Sequence, residues 1–326
     1  MTGTIGDHVQ LLRPAQWVKN VFVFFALMFS DRRGEPEALG QALIAFFSFS
    51  LLSSAVYAFN DIRDREEDAQ HPTKRNRPLA RGAITVAAAG AICAVCLIGG
   101  LALSATLPAT FMTTVVTYLV LNLFYTLGAK KVPLLDVILV ATGFVLRALG
   151  GAQAISVEVS AWLVICTFTL CLFLGFGKRR CEIAMINEAG GVATKHRATL
   201  AHYTPELLNH LLSTTAMLAV MTFVLYTLDP HTARFRALFF TTPLVLYAVY
   251  RYAMVIEGGK RTGPTDILIR DKPFFATCIV WTVLAVLIVN WGPRIERYLP
   301  VLRWPGESIR VSATTDSRPS GPNVSD

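Results

Sequence analysis

Apolar residues in this chain are gathered into long runs separated by short polar stretches. Nine runs read as membrane-crossing helices, over 15–30, 38–59, 84–105, 108–128, 132–153, 159–177, 206–228, 236–254 and 273–291. A hydrocarbon core of about 30 Å takes roughly 20 residues of helix to cross. Every run but the first is close to that length. The first is short and is expected to be tilted or partly interfacial. It does not read as a signal peptide, because Arg13-Pro14 to Asn20 is polar and no small-residue cleavage site follows the apolar part. No run alternates apolar and polar residues at the two-residue period of a membrane β-strand. The expected fold class is an all-α polytopic membrane protein, one transmembrane unit over residues 1–305. The tail from 306 to 326 is rich in Ser, Thr, Pro and Asp without apolar periodicity, and is expected to be disordered.

Composition supports this division. Hydrophobic residues make up 53% of the 326, charged residues 16%, and mean hydropathy is +0.50, which excludes an ordinary soluble domain. The net charge of +8 is unevenly placed. If the N-terminus is inside, its arm and the loops after the second, fourth, sixth and eighth runs hold about 20 of the 30 Lys and Arg. Only Arg32, Arg33, Arg234 and Arg236 occupy the opposite short loops. That bias predicts a multi-pass protein of the inner (plasma) membrane with a cytoplasmic N-terminus. The positive charge then has a topological cause, so the expected partner is the lipid bilayer and not nucleic acid; a homo-oligomer is left open. Five of the six cysteines lie inside apolar runs and read as small buried hydrophobes, the Cys93-x-x-Cys96 spacing included.

The polar stretch after the second run changes the picture. It reads Asn60-Asp61-Ile62-Arg63-Asp64-Arg65-Glu66-Glu67-Asp68, then His71-Pro72-Thr73-Lys74-Arg75-Asn76-Arg77-Pro78. On a continuous helix, Asp61, Asp64 and Asp68 fall within roughly 60° of one another. Three acids on one face repel unless a cation sits among them, and an all-oxygen site with few protein ligands suits Mg²⁺ or Mn²⁺ shared with phosphate. A solvated charged loop is the alternative. The membrane boundary and the cations that follow favour the site.

Two further charged loops fall on the same side. One, over 178–205, opens with Lys178-Arg179-Arg180-Cys181-Glu182 and later carries Lys195-His196-Arg197. The other, over 255–272, holds Lys260-Arg261 and Asp266 to Asp271. Three such loops can surround one polar cavity. Few acids among many cations is the mixture a metal-bridged diphosphate needs. There is no P-loop or G-x-G-x-x-G, and no Ser/His/Asp or Cys/His nucleophile set can be assembled. Arg147, inside an apolar run, is a functional candidate by default; pairing with Asp136 or a helix-end carbonyl is the alternative. Tyr118, Asn122 and Tyr125 share one helical face and either line a cavity or bond between helices. Lys130-Lys131 anchors the membrane boundary, and Lys130 is also placed to meet substrate. Asp266, Arg270 and Asp271 either close over the site or form a surface ion pair. A cation transporter would use similar acids, but near the midplane in broken helices, whereas these sit at an end.

The N-D-x-x-D-x-x-x-D pattern of Asn60, Asp61, Asp64 and Asp68 resembles that of the UbiA superfamily of intramembrane prenyltransferases. Within it, the chain more closely resembles phosphoribosyltransferases that act on decaprenyl phosphate. The matching pieces are Arg13-Pro-x-Gln16-Trp17-Val-Lys19-Asn20, Ser54-Ala-Val-Tyr57-x-x-Asn60-Asp61 and His71-Pro-Thr-Lys74-Arg75-x-Arg77-Pro78. Gly177-Lys178-Arg179 with Glu182, Arg251-Tyr252-Ala253 and Asp266-x-x-x-Arg270-Asp271 extend the likeness over nearly the whole chain except the tail.

The resemblance implies a nine-helix bundle with its active site at the cytoplasmic face. It also implies Mg²⁺-dependent transfer of 5-phosphoribosyl from phosphoribosyl diphosphate to a polyprenyl phosphate, feeding a lipid-linked D-arabinose donor for the cell envelope. Asp61, Asp64, Asp68 and Glu182 are the expected metal ligands, and Asp61, Asp64 and Lys178 the expected catalytic groups. Substrate is expected at Lys19, Asn20, Tyr57, Asn60, Lys74, Arg75, Arg77, Tyr125, Lys130, Arg147, Lys178, Arg179 and Arg270. Ordinary prenyltransferases of the superfamily carry a second aspartate-rich motif where residues 178–182 here offer one acid and three cations. That exchange suits a donor with an extra phosphate. Prenyl transfer to an aromatic or quinone precursor is the other function the fold implies.

Overall fold

The computed structural model describes residues 3–70, 74–188, 198–258 and 264–298, and all regular structure among them is helical. The α-helices are α1 (Ile5–Leu12), α2 (Phe24–Phe29), α3 (Pro36–Arg63), α4 (Arg65–Gln70), α5 (Val86–Ser104), α6 (Ala109–Leu127), α7 (Leu135–Ala154), α8 (Ala161–Glu188), α9 (Pro205–Leu228), α10 (Thr242–Glu257), α11 (Pro264–Arg270) and α12 (Lys272–Tyr298). Their starts follow local chemistry. Pro36 and Pro205 open α3 and α9, where a missing N–H costs nothing, and the Thr85 and Thr204 hydroxyls cap α5 and α9.

Among the described residues, eight segments are long and apolar enough to cross a membrane: α3, α5, α6, α7, α8, α9, the stretch from Arg236 through α10, and α12. The protein is a multi-pass membrane protein. Its outward surface carries Val95, Ile98, Val280 and Val283, all more than half exposed or close to it, which lipid tolerates and water does not. The first predicted run, 15–30, takes another form. It is a 3₁₀ segment, Pro14–Val23, followed by the six-residue α2. A 3₁₀ turn rises about 2.0 Å per residue, so this segment gains length that its residue count would not give as α-helix. The β-branched Val18, Val21 and Val23 disfavour a regular α-helix there.

α3 and α7 are buried over most of their spans and form the centre, while α5 and α12 face outward. Phe49 of α3 packs edge-on against Phe111 and Tyr118 of α6, with ring centroids 5.6 and 5.4 Å apart. A second core joins α8, α9, α10 and α11 through Phe173, Leu208, Tyr252, Ile256 and Ile267. α3 pairs with α5, and α8 with α9, each along its length. Each half thus begins its inner loop from a helix clamped to the next span. All six cysteines are free thiols, as expected for the five that lie inside apolar runs.

One close approach fixes the 3₁₀ segment. A Cβ on Gly151 of α7 would meet the Val23 carbonyl oxygen at 1.9 Å, and backbone cannot rotate out of the way. Gly151→Ala is therefore expected to cost about 1–3 kcal/mol, read as a lower thermal midpoint in detergent. Gly90→Ala, with nothing within 4 Å of the new Cβ, should leave the midpoint unchanged or raised. Equal midpoints for the two variants would refute the contact.

Candidate active site

The end of the bundle where α3 stops gathers the charged residues. Helical hydrogen bonding continues past that stop: the Asp64 N–H donates to the Asn60 carbonyl at 2.9 Å, and the Asp68 N–H to that of Asp64 at 2.8 Å. Asp64 itself, at φ −90° and ψ 7°, has left the α-region. The three carboxylates consequently take different partners. Asp61 and Asp68 are buried, and one nitrogen of Arg77, Nη1, donates to Asp61 Oδ1 at 3.0 Å and Asp68 Oδ2 at 2.6 Å. Arg13 Nη2 donates to the same Asp61 oxygen at 2.5 Å, its guanidinium lying over the Tyr57 ring at 5.0 Å. Lys74 stands 3.7 Å from Asp68, and Arg75 is exposed. Asp64 takes Lys130, whose Nζ donates to both carboxylate oxygens at 2.6 Å. Asn60 accepts from the Thr126 hydroxyl at 2.5 Å.

The expectation of three acids on one face is thus corrected. Among the described residues no three acids, histidines or cysteines stand close enough to share a metal ion. The bend at Asp64 and the pull of Lys130 separate its carboxylate from the other two. What remains is a pair of buried carboxylates converging on one cationic nitrogen, an arrangement that fits a cation.

Deeper in the bundle lies a second polar centre. Arg147, buried in α7, donates Nε to Asn20 Oδ1 at 2.7 Å, Nη1 to the Gly143 carbonyl at 2.7 Å and Nη2 to the Tyr118 hydroxyl at 2.9 Å. Asn20 in turn donates to Ser50 at 3.0 Å. No carboxylate of the described residues pairs with Arg147, nor with Lys19 next to Asn20 in sequence. Both Arg147 and Arg13 act electrostatically on the Lys19 ammonium. The cluster carries cations without an acid partner among the described residues, and Arg13, which acts on Lys19, also holds Asp61. Tyr118, which the helical-face reading left between cavity lining and interhelical bonding, does the second and presents its ring to Arg147 at 4.8 Å.

The second inner stretch is built differently from its reading as a loop. α8 runs on to Glu188, and Cys181, Ile183 and Ile186 are buried on it. Arg179 turns inward, donating Nε to Asp136 Oδ2 at 3.0 Å and Nη1 to Glu182 Oε2 at 2.5 Å, with Tyr125 in electrostatic reach. Lys178 is half exposed and 4.0 Å from Glu182. Asp136, fully buried at the start of α7, also accepts from the Tyr203 hydroxyl at 3.0 Å. Burial pushes the Tyr203 phenol up to about 12, so it stays protonated and donates throughout the neutral range. Arg270 pairs with Asp266 at 2.9 Å on α11 and is mostly exposed, while Asp271 caps α12 and holds Arg251. These contacts place Asp266, Arg270 and Asp271 in local ion pairs.

The expected residues therefore divide into two groups. Tyr57, Asn60, Asp61, Asp64, Asp68, Lys74, Arg77 and Lys130 stand together, with Lys19, Asn20 and Arg147 in the polar centre behind them. Lys178, Arg179, Glu182 and Arg270 are held in ion pairs on α8 and α11. His71, Lys195-His196-Arg197, Lys260-Arg261 and the 306–326 tail lie outside the described residues. Thr126 and Tyr203 escaped a reading by motif, and Arg13, though part of a matching piece, was not among the expected site residues. Arg13 had one available sign, an arginine immediately before the Pro that opens an apolar run.

An all-helical bundle with buried carboxylates and clustered cations at one end fits an intramembrane transferase. The chain belongs to the UbiA prenyltransferase family, whose model matches residues 20–279. It is 33% identical to a decaprenyl-phosphate phosphoribosyltransferase of Corynebacterium glutamicum, over 87% of each chain. It is 30% identical to the protein of that name from Mycobacterium tuberculosis, over 88% of this chain and 96% of the relative. In fold it is similar to a UbiA homolog from Archaeoglobus fulgidus bound to GPP and Mg²⁺, at TM-score 0.67 and 20% identity, covering 87% of this chain and 99% of the other.

Proposed function

We propose that this protein transfers a 5-phosphoribosyl group from phosphoribosyl diphosphate to a polyprenyl phosphate, releasing diphosphate. The site faces the cytoplasm of the inner membrane, the side to which the Lys and Arg bias assigns the N-terminus. The observation that carries the reading is the fate of residues 178–182. The one acid there, Glu182, is engaged by Arg179 at 2.5 Å, so this half offers cations where a second metal-bound diphosphate would need carboxylates. A donor with one diphosphate and a separate phosphate suits one acidic centre ringed by cations. The names of the curated relatives support the same substrates.

Asp61 and Asp68, with Asn60 in support, would hold Mg²⁺, for which Mn²⁺ is a chemical substitute. The paired grip of Asp61 and Asp68 on Arg77 is the observation that this donor set suits a cation. Bound there, the metal would neutralise the diphosphate and ease its departure. Arg77, Lys74, Arg75 and Lys130 bind the remaining phosphate oxygens and compensate charge as the C1–O bond breaks. Ribose C1 then passes through an oxocarbenium-like state, as in other glycosyl transfers. An oxygen of the acceptor phosphate, held at Lys19 and Arg147, bonds to C1, and the leaving electron pair goes to the diphosphate. The acceptor is anionic at neutral pH, so no general base is required. Its product is the lipid phosphoribosyl phosphodiester from which a D-arabinose donor for the cell envelope would be made.

The test supplies purified protein with Mg²⁺, polyprenyl phosphate and phosphoribosyl diphosphate labelled in the ribose. Label is expected in the lipid extract, with one diphosphate released per lipid modified. Absence of transfer alongside prenylation of an aromatic acid from a prenyl diphosphate would replace this reading with the other activity of the fold.

A further inference from the structure

The turn that carries Lys130 into the site is strained, and a residue from the other half of the chain holds it. Leu134 has φ 66° and ψ −48°, a conformation that a side chain branched at Cγ rarely adopts. The Leu135 N–H donates to the Pro133 carbonyl at 2.8 Å, which makes residues 133–135 a γ-turn of the rarer, positive-φ kind. Such a conformation persists only where the surroundings over-determine it. Packing does not do so here, because Leu134 is 42% exposed.

Hydrogen bonding does. The Leu134 N–H donates to the Tyr203 hydroxyl oxygen at 2.6 Å, and that hydroxyl donates to Asp136 Oδ1 at 3.0 Å. The other oxygen of Asp136 is fixed by Arg179 at 3.0 Å. Tyr203 is buried and comes from the short stretch before α9, so the brace crosses from the second half of the chain to the first. Upstream of the turn, the 3₁₀ segment Ala129–Lys131 carries Lys130 to Asp64. The Asp136 N–H donates back to the Val132 carbonyl at 3.1 Å, so the segment from Lys130 to Asp136 moves as one piece.

We propose that Tyr203 is a positioning residue for the transfer: its hydroxyl holds the 133–135 turn and so sets Lys130 against Asp64. The inner end of the second half thereby completes the acidic site of the first. The proposal rests on the phosphoribosyl-transfer reading only for its kinetic assay.

The experiment compares wild type, Tyr203→Phe, Lys130→Ala, Leu134→Gly and the pairs Tyr203→Phe/Leu134→Gly and Tyr203→Phe/Lys130→Ala. Tyr203→Phe keeps the ring in its packing and is expected to lower kcat about tenfold through misplacement of Lys130. Its thermal midpoint should stay near wild type. Leu134→Gly alone should leave activity unchanged. Added to Tyr203→Phe it should restore most of the loss, because glycine reaches positive φ without a brace. In the Lys130→Ala background, Tyr203→Phe should cost nothing further, the mark of two residues acting in one path. An activity-independent measurement follows acylation of Lys130 by an amine-reactive ester, with exposed Lys131 as the internal reference. The ratio should rise several-fold in Tyr203→Phe and return with Leu134→Gly. An unchanged ratio in Tyr203→Phe would overturn the proposal, as would a loss that Leu134→Gly leaves unrepaired. A wild type without transferase activity but with the expected labelling ratios would refute the assigned reaction and leave the brace standing.

Discussion

Asp61→Asn is expected to abolish phosphoribosyl transfer while the bundle stays folded. Asp61 is buried and anchors two guanidiniums, Arg13 at 2.5 Å and Arg77 at 3.0 Å. The amide keeps the shape and one accepting oxygen but removes the charge that two arginines balance and that the proposed divalent cation would need. Arg77 retains Asp68 at 2.6 Å, so the local structure keeps a partner for its most central cation. Turnover should fall by about 10³-fold, the scale on which one lost electrostatic contribution acts in a water-poor site. Stability should fall by about 1–3 kcal/mol, the cost of weakening a buried charged hydrogen bond. Labelled-donor turnover and size-exclusion behaviour in detergent measure the two effects separately. Turnover within tenfold of wild type, with unchanged Mg²⁺ dependence, would remove Asp61 from the metal-binding set.

Arg147→Met is expected to act on the acceptor alone. Methionine preserves much of the side-chain stem and drops the charge, which lies within a membrane span and has no carboxylate partner among the described residues. An arginine so placed is costly to bury, and its three neutral acceptors, Asn20, Gly143 and Tyr118, leave its charge to be met by something else. The phosphate of a lipid acceptor is that counter-charge in this reading. KM for polyprenyl phosphate should rise about 10²-fold, the scale of one desolvated phosphate contact, and KM for the donor should change little. The thermal midpoint should move little, because relief of a buried charge offsets the acceptors left unpaired at Asn20 and Tyr118. A rise confined to the donor KM would move the lipid headgroup elsewhere and assign Arg147 to the ribose phosphates.

Much of this architecture can be read along the chain, and the exceptions have a common cause. The runs 38–59, 84–105 and 108–128 match α3, α5 and α6 closely because solvation by lipid acts on each segment independently. The sixth run, 159–177, stops short of α8, which continues to Glu188. Charged residues there look like a loop until Asp136, far away in sequence, is seen to receive Arg179 and let the helix continue. The run 15–30 fails as one helix because its backbone is fitted to α7 at Gly151 and its Asn20 is committed to Ser50 and Arg147. The acidic motif was legible as a set of residues. Its geometry was not, since a single bend at Asp64 and a lysine 66 positions away decide which carboxylates converge.

The membrane class, the family, the end of the bundle where chemistry collects and the residue types available there all follow from the order of amino acids. These depend on hydropathy, charge bias and local motif, each of which is a property of a short segment. The tertiary structure alone decided that Asp61 pairs with Asp68 on Arg77, that Arg147 answers to Asn20 and not to Asp136, and that Tyr203 braces the Lys130 turn. The last two join residues 127 and 69 positions apart, and the first ties the end of α3 and α4 to the loop that follows them. Their partners are selected by helix packing and by the cost of leaving a buried polar group unpaired, and neither is encoded in any one segment.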